Sequence, residues 1–248
     1  MVDPVTKVDH KVKIVLIPAR SGSKRLPDKN VKLLNGHPLM AYAISAALDR
    51  GFFDDVFVSS DSSDYLSIAE KYGAKGILRP SEISQGDIKT QVWVEHVLKS
   101  ITIKPDIVVI LRPTNPFIGI GHIHKAMTLL ARDDKVHSIR SIRLCSEHPY
   151  KMWRLGSKTI IPAFHNYGDD YHNMPTQQIP HQYYIQTGGM EIFRTKILKR
   201  YGTQSGRCIL PYILNAYDGF DIHTEEDLLL AEILVHEGKA HLPKVSLR

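Results

Sequence analysis

The sequence predicts an α/β fold, a mostly parallel central sheet with helices on both faces. Three observations predict it. Apolar runs of strand length alternate with helix-like segments through the first 144 residues, the pattern of βαβ units. The first run is apolar at nearly every position, as in a strand buried on both faces. Four polar segments, "ARSGSKRLPDKN", "SSDSS", "RPSEIS" and "RPTNPF", each follow the end of such a run. Open α/β sheets place their ligands beyond the carboxyl ends of their strands, so these four loops converge on one candidate rim.

In order, "VKIVLIP" (12–18) is the leading strand. A helix over 37–51 follows, with Pro38 suited to its first turn and Gly51 to its stop. A strand over 54–61, a helix over 63–73 ended by Gly73, and a short strand over 74–80 come next. A helix over 88–100, a central strand over 105–113, a helix over 121–134 and a strand over 136–144 complete the regular half. Residues 145–190, rich in Tyr, His, Pro and Gly and without helical period, read as a β/loop excursion within one domain spanning 1–248. Its aromatic content suits a subunit interface, with a substrate lid as the competing reading. The α/β pattern then resumes through "GMEIFRTKILKRYG" and "RCILPYIL" to a last helix over 224–238. Thr224 is its predicted N-cap, with Asp227 three residues on to close a capping box.

Composition narrows the class. The 248 residues suffice to bury a real core, and the apolar (43%) and charged (23%) fractions are those of a globular protein. Two cysteines, Cys145 and Cys208, exclude a disulfide framework and a cysteine-based zinc site. His122 and His124 lie two apart and so do not share a helix face. His165, His172 and His181 are too irregular for a zinc pattern. The polar N-terminal stretch lacks the apolar core of a signal peptide, and no run reaches the roughly 20 apolar residues of a membrane span. The expectation is a cytoplasmic protein without a membrane partner. The net charge of +6 is scattered, with no basic tail, which favours small acidic ligands over nucleic acid.

The charge concentrates once. "IPARSGSKRLPDKN" (17–30) and the residues just beyond it carry Arg20, Lys24, Arg25, Lys29 and Lys32 around two serines and a glycine. The stretch is neither a P-loop nor a GxGxxG turn. A short Ser/Gly loop can still offer successive backbone N–H groups to an anion, with Arg20, Lys24 and Lys29 adding side-chain charge. A solvated charged loop is the competing reading, and the position directly after the first strand weighs against it.

"IPARSGSKRLPDKNVKLLNGHPLMAYAI" resembles the signature of the CMP-acylneuraminate synthetases, cytidylyltransferases that activate sialic acid and related nine-carbon keto-sugar acids. The resemblance continues, in order, through "VFVSSD", "GILRPSEIS", "LRPTNPF", "MPTQQIP", "QTGGMEIF" and "FDIHTEEDL". It implies a Rossmann-like fold of the nucleotide-diphospho-sugar transferase type, CTP and an acidic keto-sugar as substrates, a magnesium ion, and a homodimer formed through the excursion. It implies that Arg20 and Lys29 contact the triphosphate, with Ser21, Gly22, Ser23 and Lys24 filling the loop and Asn30 following in the same motif. Arg79 matches a residue placed near the cytosine; an arginine that caps its strand and pairs with Glu82 is the competing reading. Asp61 could bind ribose or metal, although capping the helix that begins near Ser63 is preferred.

"FDIHTEEDL" resembles the family's metal-binding strand end, with Asp221 kept and His223 standing where a second aspartate is usual. Asp221 is thus the expected magnesium ligand. His223 is a second ligand favouring a softer ion such as manganese, a partner for a bound water, a general base, or a structural residue. On the sugar side the resemblance points to Arg112, Thr114 and Asn115 in one block and to Gln186, Thr187 and Gly188 in another. Arg112 stands where the sialic-acid enzymes usually carry Gln. Its planar fork suits a substrate carboxylate, and contact with the triphosphate or a structural pair with an acid are the alternatives. Trp93 and Trp153 read as core and interface residues respectively.

Overall fold

The computed structural model describes residues 11–164 and 170–247, so the extreme N-terminus and His165 lie outside the described residues. In chain order the elements are β1 (Lys13–Pro18), β2 (Leu33–Leu34), β3 (His37–Pro38), α1 (Leu39–Leu48), β4 (Asp55–Ser60), α2 (Ser63–Lys71) and β5 (Lys75–Leu78). There follow α3 (Thr90–Ser100), β6 (Ile107–Leu111), α4 (Ile120–Ala131), β7 (Ser138–Leu144), β8 (Trp153–Leu155) and β9 (Ile160–Pro162). β10 (Tyr184–Arg194), α5 (Thr195–Tyr201), β11 (Ile209–Leu214) and α6 (Glu225–His236) complete the chain.

Seven strands form one sheet in the order β11-β7-β10-β6-β1-β4-β5. Every neighbouring pair is parallel except those made by β10, which runs antiparallel to both β6 and β7. The mostly parallel sheet expected from the alternation is therefore present. The apolar runs alternate between two cores, which is why they are apolar throughout. Ile14 and Leu16 of β1 face Trp93, Val94 and Val97 of α3, whereas Val15 and Ile17 face the side of α1, α2 and α4. A third cluster packs α6 against α1 and the β2–β3 hairpin through Leu34, Leu39, Tyr42, Leu228 and Ala231.

The chain leaves β1 toward β4 and β5, then crosses back to place β6 on the other side of β1. The carboxyl ends of β1 and β6 thus flank a topological switch point, the crevice where such sheets bind ligands. Being antiparallel, β10 brings its first residues to this same end, and the chain leaving β11 reaches it on the way to α6.

Local chemistry refines two expectations. α1 begins at Leu39 rather than at 37, because Asn35 (φ 45°) and Gly36 (φ 84°) turn the chain into a small hairpin that uses His37 and Pro38. Asn-Gly is the pair that tolerates two successive positive φ values. α2 is capped by Ser62, whose hydroxyl accepts from Tyr65 N at 3.3 Å, and not by Asp61. The Thr224–Asp227 capping box of α6 forms as expected. Both cysteines are free, and among the described residues no helix is long and apolar enough to cross a membrane.

Candidate active site

The loop after β1 is held from below by a carboxylate. Asp61, at the end of β4, accepts from Ser21 N at 2.8 Å and from Ser21 Oγ at 3.1 Å. Asn30, buried, donates to Arg20 O at 2.8 Å and closes the loop, while Leu26 anchors its middle in the third core cluster. The expected nest is accordingly incomplete at its first position, because the Ser21 N–H is donated to Asp61. What the loop presents is side-chain charge. Arg20, Lys24, Arg25 and Lys29 line a cleft of about 850 Å³ together with Gly22, Ser23 and the 84–87 turn.

No described carboxylate lies within ion-pair distance of Arg20, Lys24, Arg25 or Lys29, whereas nearby Lys32 is paired with Glu225 at 2.9 Å. Burial, then the charges of Arg25 and Arg20, hold the Lys29 ammonium below the usual lysine range, against the opposing pull of Asp221 and Asp227. Such a cluster repels itself, and a bound polyanion relieves the repulsion. Gly86 borders the Arg20 guanidinium, which a Cβ there would meet at an ordinary contact distance of 3.5 Å.

A narrower extension of about 200 Å³ runs between the ends of β1, β5 and β6, walled by Pro18, Ile83, Trp93 and Pro113 and reached by Arg79 and Arg112. Arg79 does not pair with Glu82. It is buried, donating from Nε to Ser59 Oγ at 3.1 Å and from Nη2 to Ser59 O at 3.0 Å, and it lies 5.0 Å over the Trp93 ring. Burial pushes its guanidinium down to about 10, so it stays charged at neutral pH. A slot with partly apolar walls and a fixed arginine offers a nucleobase both packing surface and a hydrogen-bond donor. Trp93 is a core residue, as expected, and one of its neighbours is this arginine.

At the far side stands Asp221. Its Oδ2 accepts from Gly188 N at 2.8 Å, while Oδ1 is buried and has no hydrogen-bond partner among the described residues. Burial raises its carboxyl above the ordinary range, opposed by the Gly188 N–H and by the charges of His223, Arg112 and Arg143. His223 Nδ1 is likewise buried without a described partner. Burial first, then Lys29, holds the His223 imidazole below its usual range. Gly188 is constrained by proximity: a Cβ would sit 2.9 Å from Asp221 Oδ1 and 3.2 Å from Thr114 Oγ1. Thr114 is therefore in the site, and its carbonyl accepts from Ile222 N at 2.7 Å, tying the β6 loop to the Asp221 segment.

Three sugar-side residues are committed elsewhere. Asn115 is buried with both ends of its amide used, Nδ2 to Asp218 O at 3.0 Å and Oδ1 from Phe117 N at 3.2 Å. Thr187 is buried and donates to Ser141 Oγ at 2.7 Å. Arg112 pairs with Glu191 at 2.5 Å, the structural pair among its alternatives, yet its side chain keeps 23% of its exposure and borders the slot. Gln186 is exposed on β10. Glu191 and Asp61 are the site residues that sequence reasoning missed or misplaced. A lone acid inside the apolar run "MEIF" signals a buried charge that must find cations.

Residues 14–202 match the Cytidylyltransferase family. The chain is 32% identical over 219 residues to the N-acylneuraminate cytidylyltransferase of Escherichia coli O18:K1:H7, covering 88% of this chain and 51% of that protein. It is 39% identical over 108 residues to the CMP-N,N'-diacetyllegionaminic acid synthase of Legionella pneumophila, covering 42% of this chain and 47% of that protein. The pseudaminic acid cytidylyltransferase of Campylobacter jejuni is 39% identical over 87 residues, 35% of this chain and 38% of that one. The chain thus spans between 38% and 51% of the length of these relatives. Among solved structures, CMP:2-keto-3-deoxy-manno-octonic acid synthetase complexed with CTP superposes with a TM-score of 0.68 at 17% identity, covering 92% of this chain and 99% of that one, a likeness of fold. With the family match extending over most of the sheet and over the cationic loop, this chain belongs to the cytidylyltransferase family.

Proposed function

We propose that the chain transfers CMP from CTP to the anomeric hydroxyl of an acidic keto-sugar, a sialic acid or another nonulosonic acid, and releases pyrophosphate. One observation carries the reading: the β1 loop holds cations with no ion-pair partner among the described residues, and one of them, Lys29, feels the charge of Asp221, whose Oδ1 is buried without a described partner. Triphosphate oxygens supply what those cations lack. In the reaction the sugar oxygen bonds to the α-phosphorus while the bond from that phosphorus to the bridging oxygen breaks, and its electron pair departs with pyrophosphate. Arg20 and Lys29 hold the oxygens on which charge develops; fixed cations at such positions lower a barrier without reorganising. The His223 imidazole, held toward its neutral form by burial and by Lys29, is the proposed acceptor of the hydroxyl proton.

The donor set suits a hard divalent cation. Among the described residues no three metal-ligating side chains come together, so the protein would contribute Asp221 Oδ1, with phosphate oxygens and water supplying the rest. Bound there, magnesium would neutralise phosphate charge. The proposed use of CTP supports a cytoplasmic location. A second copy of the chain is the proposed partner of the β8–β9 hairpin, where Trp153, Leu155 and Ile160 are 44%, 84% and 55% exposed.

The relatives' names differ in the acid they act on, so acceptor and base are tested together. Pyrophosphate release is measured with each of the four nucleoside triphosphates against N-acetylneuraminic, pseudaminic and diacetyllegionaminic acids. Turnover with CTP and one of these acids is expected. Turnover only with another nucleotide or with a sugar phosphate, or CTP binding without any turnover, would overturn the reading.

A further inference from the structure

The acid that sequence reasoning passed over sits between two arginines. Glu191 is 2% exposed and lies on β10, between β6 and β7. Its Oε1 is 2.5 Å from Arg112 Nη1, and its Oε2 is 2.7 Å from Arg140 Nη1 and 3.3 Å from Gln204 Nε2. The Arg112 contact is short but off the hydrogen-bond axis. One carboxylate against two guanidinium groups leaves one positive charge over. Arg140 has no route to pass it on: its Nη2 also donates to Ser205 Oγ at 2.5 Å, and its side chain is only 15% exposed. Arg112 does: it borders the slot beside Arg20, Lys29 and Thr114, and its Nη2 makes only a long bond, 3.4 Å, to Thr90 Oγ1.

The same arginine ties the acid to the reacting end. Arg112 Nη1 donates to Gly188 O at 3.3 Å and Arg112 N to Gly189 O at 3.2 Å. Gly188 N in turn donates to Asp221 Oδ2. These glycines form the irregular stretch of β10, where the pairing with β7 shifts register between Gln186 and Glu191. A continuous set of contacts therefore runs from Glu191 through Arg112 and Gly188 to Asp221.

We propose that Glu191 is a positioning residue: it fixes the Arg112 fork so that the triad's surplus charge meets one anionic oxygen group of a substrate in the slot. The proposal rests on the nucleotidyl-transfer reading for the substrate's identity, and that group is either the carboxylate of the sugar acid or a phosphate of CTP. Arg140 balances the buried acid, so Glu191 does not fully neutralise Arg112, which is why a substrate anion still finds charge there. An arginine held by a carboxylate presents its remaining N–H groups in one orientation, so less entropy is lost when the anion binds.

Arg112→Lys keeps the charge and loses the fork; Glu191→Gln keeps the shape and loses the carboxylate; Glu191→Asp keeps the carboxylate. Each is assayed for folding by thermal melting, for CTP affinity by calorimetry, and for KM toward whichever acid of the panel turns over. Loss of a charge-assisted contact predicts a roughly ten- to hundredfold change in one of the two affinities for the first two variants, with partial recovery in Glu191→Asp. A raised KM for the sugar acid at unchanged CTP affinity assigns the carboxylate; weakened CTP binding at unchanged sugar KM assigns a phosphate. Should Glu191→Gln not fold, Glu191→Asp and Arg112→Lys carry the comparison. If the wild-type protein binds CTP but turns over no acid, the functional reading falls, and the CTP arm alone decides the present one. Folded variants that leave both affinities within twofold of wild type, or lower kcat with equal shifts in both, would overturn the positioning role.

Discussion

The two ends of the sheet are both rich in cations, and they differ in what those cations touch. At the amino ends of the strands a cavity of about 490 Å³ is lined by Lys11, Lys104, Arg194, Lys196 and Lys199. There the charge is partly answered: Asp134 pairs with Arg194 at 3.1 Å and with Lys11 at 3.9 Å, and Arg194 further donates to Val136 O and Leu130 O. At the carboxyl ends Arg20, Lys24, Arg25 and Lys29 have no such answer among the described residues. Because Lys104, Lys196 and Lys199 also lack a described ion pair, what separates the two ends is that the unpaired charge of the carboxyl end is gathered on one loop directly after β1. Topology agrees, since only the carboxyl end has a switch point.

The largest expected effect tests the unpaired end directly. Arg20→Ala should lower turnover about a hundredfold or more, a barrier increase of about 2.7–4 kcal/mol by analogy with deleted oxyanion donors. The melting temperature should hold, because Arg20 makes no described ion pair whose loss would unfold the loop. Unchanged kinetics would remove it from the site and blur the contrast between the two ends. Asp221→Asn should come next. Removing the carboxylate leaves the Gly188 N–H an amide oxygen to bond, so the fold should survive. Turnover should fall tenfold or more, with partial recovery as magnesium is raised. A response indifferent to metal concentration would dissociate Asp221 from any ion.

How much of this was legible in the sequence follows from what each feature depends on. β1, β4 and β6 were readable because both of their faces are buried, and the α6 capping box because it is local to four residues. The Asn35–Gly36 hairpin was equally local and was passed over in favour of a longer helix. Asp61 was misassigned because every residue of "SSDSS" can cap a helix: Ser62 does so, and Asp61 turns back to Ser21, a contact forty residues distant. β10's reversed direction, which puts Gly188 beside Asp221, depends on where the long excursion re-enters the sheet. No short window of sequence carries that information. The Arg112 pair with Glu191 is likewise a product of that re-entry, although the isolated acid in "MEIF" was visible as a charge in need of partners.

A third variant sharpens the comparison by attacking the support of the loop instead of its charge. Asp61→Ala leaves the half-buried Ser21 N–H and hydroxyl without their acceptor, at a cost of about 0.5–1.5 kcal/mol of stability. Because the cations remain, CTP affinity should weaken only severalfold, less than in Arg20→Ala. An effect as large as that of Arg20→Ala would mean that Asp61 itself meets the ligand.

The smallest effect is expected at the opposite end, and it is the control on the whole comparison. Lys196 and Lys199 line the amino-end cavity without a described ion pair of their own. They lie on the seven-residue α5, away from the switch point, and exposed charges beyond about 8–10 Å of a site are screened at physiological salt. Lys196→Ala with Lys199→Ala should therefore change turnover and CTP affinity by less than twofold. An equal loss at both ends would show that the protein's overall charge, and not the unpaired cluster on the β1 loop, attracts the nucleotide. Such a loss should then shrink steeply with added salt, while the Arg20→Ala defect, arising from a contact in a partly desolvated cleft, should persist.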